Sequence, residues 1–276
     1  MPSKCCVILL SEKSSGSSIL QNELCKHPSI NHIVTTEHYE HETLFWLKAA
    51  CLVEDNKSLF FNDTPKFSAE DARQKLINLI VGNVPSFDAA QINDLDLIQL
   101  GWEALSDRYS PVFFEKSPHH LQNWASLKLM LDSLVELKQQ YFIIFLVRHP
   151  MAMLLSAWER WRSNPLQRQW GWYTSYSNMF RFSEMLDPNH YMIIKYEDLV
   201  DSPHEYLTRI CERLDLDLIK PMGDSVHRES QEGWRSKKIT FDEGWQKIWK
   251  PRRPIDQLFK LDPKVEELAR RLEYEL

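Results

Sequence analysis

The sequence predicts an α/β fold of three layers, a central parallel β-sheet with helices on both faces. Three observations predict it. Four short runs are almost continuously apolar and rich in β-branched or aromatic residues: CCVILL (5–10), PVFFEK (111–116), YFIIFLV (141–147) and YMIIKY (191–196). Strands of this kind are buried on both faces, as in a parallel sheet. Helical patterns separate them, which is the βα alternation of a layered α/β domain. The chain of 276 residues, 43% hydrophobic, is long enough to bury such a core, and it reads as one domain over residues 1–276.

The first strand runs into SEKSSGSS (11–18), where five serines surround one of only 7 glycines, and then into the helical ILQNEL. A strand, a Gly/Ser turn and a helix aim backbone N–H groups and the positive end of the helix dipole at an anion. Lys13 adds a charge, and Ser14, Ser15, Ser17 and Ser18 add hydroxyl donors. The plainer reading is a serine-rich loop capping a helix. The loop has neither the G-x4-G-K-[ST] of a Walker A site nor a G-x-G-x-x-G fingerprint, which disfavours ATP hydrolysis and dinucleotide binding.

Farther along, Ser68 is an N-cap for SAEDARQKLINLIVGN, and Leu95, Ile98, Trp102 and Leu105 share one face of a second helix. The 141–147 strand ends at Arg148, Pro150 suits the first turn of the next helix, and Ser156 lies two turns into it. A guanidinium fork and a hydroxyl so spaced would clasp one phosphate from two sides. Each alone reads as a surface ion pair or a solvated helix position. Ser202 and Glu205 form a capping box before YLTRICERL, and DPKVEELARRLEYEL reads as a final helix. WKPRRP near residue 250 is the one candidate boundary.

Lys+Arg 33 against Asp+Glu 39 gives a net charge of -6, so no broad electrostatic grip on nucleic acid is expected. Five cysteines, odd in number and without a CxxC pair, suit neither a disulfide framework nor a zinc site. CCVILL is too short for a signal-peptide core, and no run approaches the roughly 18 apolar residues of a membrane span. A cytoplasmic monomer or homodimer without a membrane partner is expected.

Taken together, the loop and the Arg148 segment resemble the sulfotransferases that use 3'-phosphoadenosine 5'-phosphosulfate (PAPS). KSSGSS is similar to the family's KSGTT-type loop for the 5'-phosphosulfate, and RHPMAMLLS has the spacing of its R-x7-S element for the 3'-phosphate. FEKSPHHLQN is similar to the EKTPHHL segment of bacterial and carbohydrate members, and KYEDLVDSPHEYLTRICERLDL to the YEDL-x-x-(D/N)-P stretch. The four come in family order across residues 5–216. The resemblance implies a P-loop-like sulfotransferase fold. It implies PAPS contacts from Lys13, Ser14, Ser15, Gly16, Ser17, Ser18, Arg148, Ser156 and Tyr196. Lys13 stands one position earlier than the family's lysine. GWRSKKITFDEGWQKIWK replaces the R-K-G-x-x-G ending of cytosolic members and resembles the bacterial R-x-K ending, implying Arg235, Lys237 and Lys238 as further nucleotide contacts.

The expected chemistry is in-line sulfuryl transfer without a metal. Lys13, Lys116 and the loop amides stabilise the leaving group, and a base takes the acceptor's proton. Glu115, His119 and His120 all follow the 111–116 strand closely enough to be that base; the resemblance favours His119, with Glu115 the rival. The alternative for both histidines is to cap a helix. TTEHYEHETLFW (35–46) is the expected acceptor segment, with Glu37, His38, Glu40 and Glu42 holding a small, cationic acceptor and His120 and Trp172 beside it. A solvated polar face is the plainer reading of that segment, and a metal reading of His38, His41 and Glu42 is weaker still. Trp158 and Trp161 read as helix packing rather than an aromatic lid. The expected function is sulfuryl transfer from PAPS to a hydroxyl or an amine or amide nitrogen of a small molecule, with a natural product favoured. A small-molecule or nucleotide kinase, or a non-catalytic nucleotide-binding protein, are the alternatives.

Overall fold

The computed structural model describes residues 4–38, 40–53, 66–224, 226 and 260–276. Five strands form one sheet in it: β1 (Cys5–Ser11), β2 (Ile30–His32), β3 (Val112–Lys116), β4 (Tyr141–Val147) and β5 (Tyr191–Lys195). All ladders are parallel, in the order β2-β3-β1-β4-β5. The described helices are α1 (Ser17–Leu24), α2 (Phe45–Val53), α3 (Ala69–Asn83), α4 (Asp94–Arg108), α5 (His119–Gln122) and α6 (Trp124–Glu136). They continue with α7 (Pro150–Trp161), α8 (Pro165–Ser183), α9 (Tyr196–Asp201), α10 (Pro203–Arg213) and α11 (Pro263–Arg271).

Side chains that alternate along the strands divide the core into two layers. Cys6, Ile8, Leu10, Phe113, Ile143, Phe145 and Val147 face the larger layer, formed by α2, α3, α4, α6, α7, α8 and α11. Val7, Leu9, Val112, Phe114, Ile144, Leu146 and Ile194 face α1, α9 and α10. Each fully buried side chain of this size stabilises the fold by roughly 1.5–3 kcal/mol. The three-layer α/β fold is therefore present, with both faces of the sheet covered.

The four strands legible in the sequence form as expected, and β2 is the addition. Its three residues at the sheet edge are too few to carry a period. Ser68 caps α3 by accepting from Asp71 N at 3.1 Å. Ser202 precedes α10 but makes no side-chain cap bond, so the expected capping box is not formed. Leu95 is 48% exposed, and the apolar stripe of α4 is Leu97, Ile98, Trp102 and Leu105, one position round from the expected face. No described helix is long and apolar enough to cross a membrane.

Candidate active site

The chain leaves β1 towards β2 on one side of the sheet and later crosses to β4 on the other. Such a reversal leaves a crevice outside the carboxyl ends of β1 and β4, where ligands of open α/β sheets bind. A cavity of about 470 Å³ opens there. Its wall takes residues from the loop after β1 and the helix α1 that follows, from the segment before α2, from the end of β4 and the second half of α7, and from the start of α9.

The loop after β1 is shaped by two positive φ angles, 64° at Ser14 and 89° at Gly16. Gly16 caps α1 with no side-chain acceptor on the first-turn amides, and Lys13, Ser14, Gly16, Ser17 and Ser18 all line the cavity. A side chain at Gly16 would run into the Tyr196 ring, so only glycine permits this approach. The Ser14 hydroxyl is buried without a hydrogen-bond partner. The Ser15 hydroxyl turns inward to Tyr176 Oη at 3.0 Å, which leaves only its backbone for a ligand.

The second half of the wall comes from β4 and β5. Their register pairs Val147 with Lys195, so the residues that follow, Arg148 and Tyr196, emerge side by side. The Arg148 guanidinium lies 4.4 Å from the Tyr196 ring centroid and donates from Nη1 to Ser14 O at 2.7 Å. Arg148 and Gly16 thus share one cleft, and Ser156 faces it from two turns into α7. His149 caps α7 through Nδ1, and burial pulls its imidazole below the ordinary value.

Opposite the loop stands a charged cluster. Lys116 is wholly buried as a side chain and donates from Nζ to Glu42 Oε1 at 3.2 Å and to Glu40 O at 3.2 Å. Glu40 accepts from Ser18 Oγ at 2.9 Å, with Arg160 at 3.7 Å. Burial alone would lift its carboxyl, but Lys116, Ser18, Arg160 and His38 outweigh burial and hold it below the ordinary value. Glu42 is 5% exposed, and its Oε2 accepts no hydrogen bond and stands 3.8 Å from His38 Nε2.

Alternation along β3 sends Glu115 to the other face of the sheet. Its Oε1 accepts from Thr43 at 2.7 Å and Ser117 at 2.5 Å, and its Oε2 lies 3.5 Å from His120 Nδ1. Burial would raise its carboxyl; the His120 charge and these donors instead hold it below the ordinary value. Glu115 and His120 are a buried structural pair, apart from the residues that line the cavity. His119 follows the wall residue Pro118 and is 4% exposed. Burial, with the charges of Lys13 and Arg168, drives its pKa well below the ordinary value, so the ring is neutral at pH 7.

Other expected residues settle differently. Glu37 pairs with Lys75 at 2.8 Å, away from the residues that line the cavity. With Glu40 and Glu42 already facing Lys116, the three acids do not form the expected cradle for a cation. Trp172 is fully buried and donates from Nε1 to Arg148 O at 2.9 Å, so it braces the site rather than meeting an acceptor. Trp161, expected in packing, is 42% exposed, lines the cavity and has Lys13 Nζ 5.3 Å from its ring. Arg160 and Asn22, which also line it, were legible as the i+4 neighbours of Ser156 and Ser18 on their helices. Arg235, Lys237, Lys238 and the WKPRRP segment lie outside the described residues. No group of three or more His, Cys, Asp or Glu suited to a metal occurs among the described residues.

A family model described as "Sulfotransferase family" matches residues 7–220. The sulfotransferase domain from the curacin biosynthetic pathway superposes with a TM-score of 0.59 at 20% identity, covering 100% of this chain and 99% of that one. The sulfotransferase domain from the Synechococcus PCC 7002 olefin synthase gives 0.61 at 21% identity, covering 100% and 96%. Among curated protein sequences no match was found.

Proposed function

The chain belongs to the sulfotransferase family, and with sulfuryl transfer as the premise we propose that its donor is PAPS and its acceptor a hydroxyl, or an amine or amide nitrogen, of a small molecule. One observation carries this reading: the uncapped loop at 13–18 and the buried Arg148 open on one cavity, tied together by the bond from Arg148 to Ser14 O. The fit to a donor phosphorylated at both ends is supported by the buried Ser14 hydroxyl, which has no partner within the protein. PAPS when bound supplies an activated sulfuryl group with a good leaving phosphate.

In this reading Lys13 and the amides of residues 14–18 hold the 5' end, while Arg148 and Ser156 hold the 3'-phosphate and Tyr196 packs against Arg148. A fixed donor aimed at charge that grows during transfer contributes about 3 kcal/mol. Lys116, with Nζ 3.4 Å from Ser18 Oγ, adds its ammonium charge beside the loop. Glu42 takes the acceptor's proton, because it lines the cavity and its Oε2 accepts no hydrogen bond, whereas Glu115 is spent on Thr43, Ser117 and His120. A second reading gives that step to His119, favoured by its neutral ring and an Nδ1 without a hydrogen bond.

The acceptor enters past Trp161 and Arg160 at the rim. Likeness to a sulfotransferase domain from the curacin biosynthetic pathway favours a biosynthetic intermediate in that role. Melting the protein with 3'-phosphoadenosine 5'-phosphate (PAP), beside ATP with magnesium, tests the donor. Ligand at a hundredfold over its Kd stabilises by about 2.7 kcal/mol, a rise of several degrees for a chain of this size. A shift with ATP and magnesium alone would overturn the PAPS reading in favour of a kinase.

A further inference from the structure

We infer that the buried face of α8 is a positioning element that sets the spacing between the two anion-gripping segments, the loop after β1 and the end of β4. The inference rests on the nucleotide reading above. Arg168, Trp172, Ser175 and Tyr176 recur at i, i+4, i+7 and i+8 and so form one stripe along the helix. All are buried, three of them completely. Each makes a polar contact with one of the two segments.

At the loop, Arg168 forms an ion pair with Glu12, and Ser175 Oγ donates to Glu12 Oε2, which also accepts from Gln122 Nε2 at 2.8 Å. At the end of β4, Trp172 Nε1 donates to Arg148 O at 2.9 Å. Tyr176 joins the two: its hydroxyl donates to Leu146 O at 3.1 Å and accepts from Ser15 Oγ, 3.0 Å away. Gly171 lets the helix come close, since a Cβ there would lie 3.4 Å from Glu12 Oε1 and 3.2 Å from Gln122 Nε2.

A carboxylate beside a loop that binds anions repels the ligand unless its charge is met, and Arg168 meets it. The pair therefore acts through the backbone of the loop and not on the ligand. A ligand held at both ends gains from two subsites only while their separation is fixed. A ligand held at one end is insensitive to that separation.

This difference supplies a readout that a merely stabilising helix would not move. Calorimetric titration of the full chain with PAP, adenosine 5'-phosphate and adenosine 3'-phosphate is compared for the wild type, Tyr176→Phe and Ser175→Ala, which leave the Arg168–Glu12 pair in place. The expected result is that both variants bind each monophosphate within about twofold of wild type and bind PAP roughly tenfold more weakly or worse. Equal weakening of all three ligands, or unchanged PAP affinity, would overturn the role of α8. Wild type binding PAP no tighter than the monophosphates would instead overturn the two-subsite reading on which it rests. Each variant removes a single oxygen, and Ser175→Ala probes the same helix should the tyrosine variant fail to fold.

Discussion

Replacing Gly16 with alanine perturbs both halves of the site at one atom. The residue holds φ at 89°, a left-handed conformation that costs an alanine about 1–2 kcal/mol. The new methyl also falls within van der Waals contact of Tyr196 Cδ2 and Cε2, so the ring must move away. The Arg148 guanidinium, 4.4 Å from that ring, loses its support. Losing a hydrogen bond from this guanidinium to a charged ligand costs up to roughly 3 kcal/mol, about two orders of magnitude in binding. Calorimetric titration with PAP should therefore show Gly16→Ala weaker than wild type by about two orders of magnitude. In a Tyr196→Ala background the clash is absent and the strain, common to free and bound protein, cancels from the affinity, so the same substitution should change PAP binding by no more than about twofold. Gly16→Ala binding PAP within about twofold of wild type, or costing the same in both backgrounds, would refute the reasoning.

Other predictions follow from the charged groups. Lys48 is buried with its ammonium donating to Thr43 O at 2.9 Å, and burial lowers its pKa from 10.5 to about 8, a penalty of roughly 3 kcal/mol at pH 7. Lys48→Met removes that penalty but leaves the Thr43 carbonyl unpaired at a cost of about 1–3 kcal/mol, so urea denaturation at pH 7 should show a gain of about 1 kcal/mol. Above pH 8 the unfolded chain binds the extra proton, wild-type stability rises with pH, and the gain should vanish by pH 10. His119, depressed below 6.5 by burial, acts at the acid end: its proton binds first to the unfolded chain. Wild-type stability is then full above about pH 6.5 and falls below it, by up to about 1.4 kcal/mol per pH unit more than in His119→Asn. For the reaction, Glu42→Gln should lower kcat about 10²–10⁴-fold with PAP affinity near wild type, whereas His119→Asn should do so if the imidazole is the base. Glu115→Gln should lower the melting temperature more than kcat, since it disturbs a buried pair with His120.

Both the sheet and the loop and Arg148 that line one wall of the cavity were legible because their signals are local. CCVILL followed by SEKSSGSS declares a strand and a turn within fourteen residues, and Arg148 with Ser156 declares a strand end and a helix start. The charged wall opposite was less legible because it depends on which face of a strand a side chain leaves. Neighbours in sequence, Glu115 and Lys116 part to opposite sides of β3, one into a closed network and the other towards the cavity. Similarly, the acids of residues 37–42 read as open to a cation, and only the fold brings Lys116, Lys75 and Arg160 to them. Trp172 and Trp161 exchanged roles for a related reason. On α8 the buried stripe includes Trp172, while Trp161 ends α7 where no element covers it among the described residues. Glu12 and Arg168 carry no motif at all, and their pairing spans two elements far apart in the chain.

The central claim is that one cleft grips a nucleotide at both ends, and a crystal structure of the protein with PAP measures it directly. The account predicts the 3'-phosphate within hydrogen-bond distance of Arg148 and Ser156 and the 5'-phosphate against the amides of residues 14–18. A nucleotide held by only one of these segments, or bound outside the cavity between β1 and β4, would contradict it.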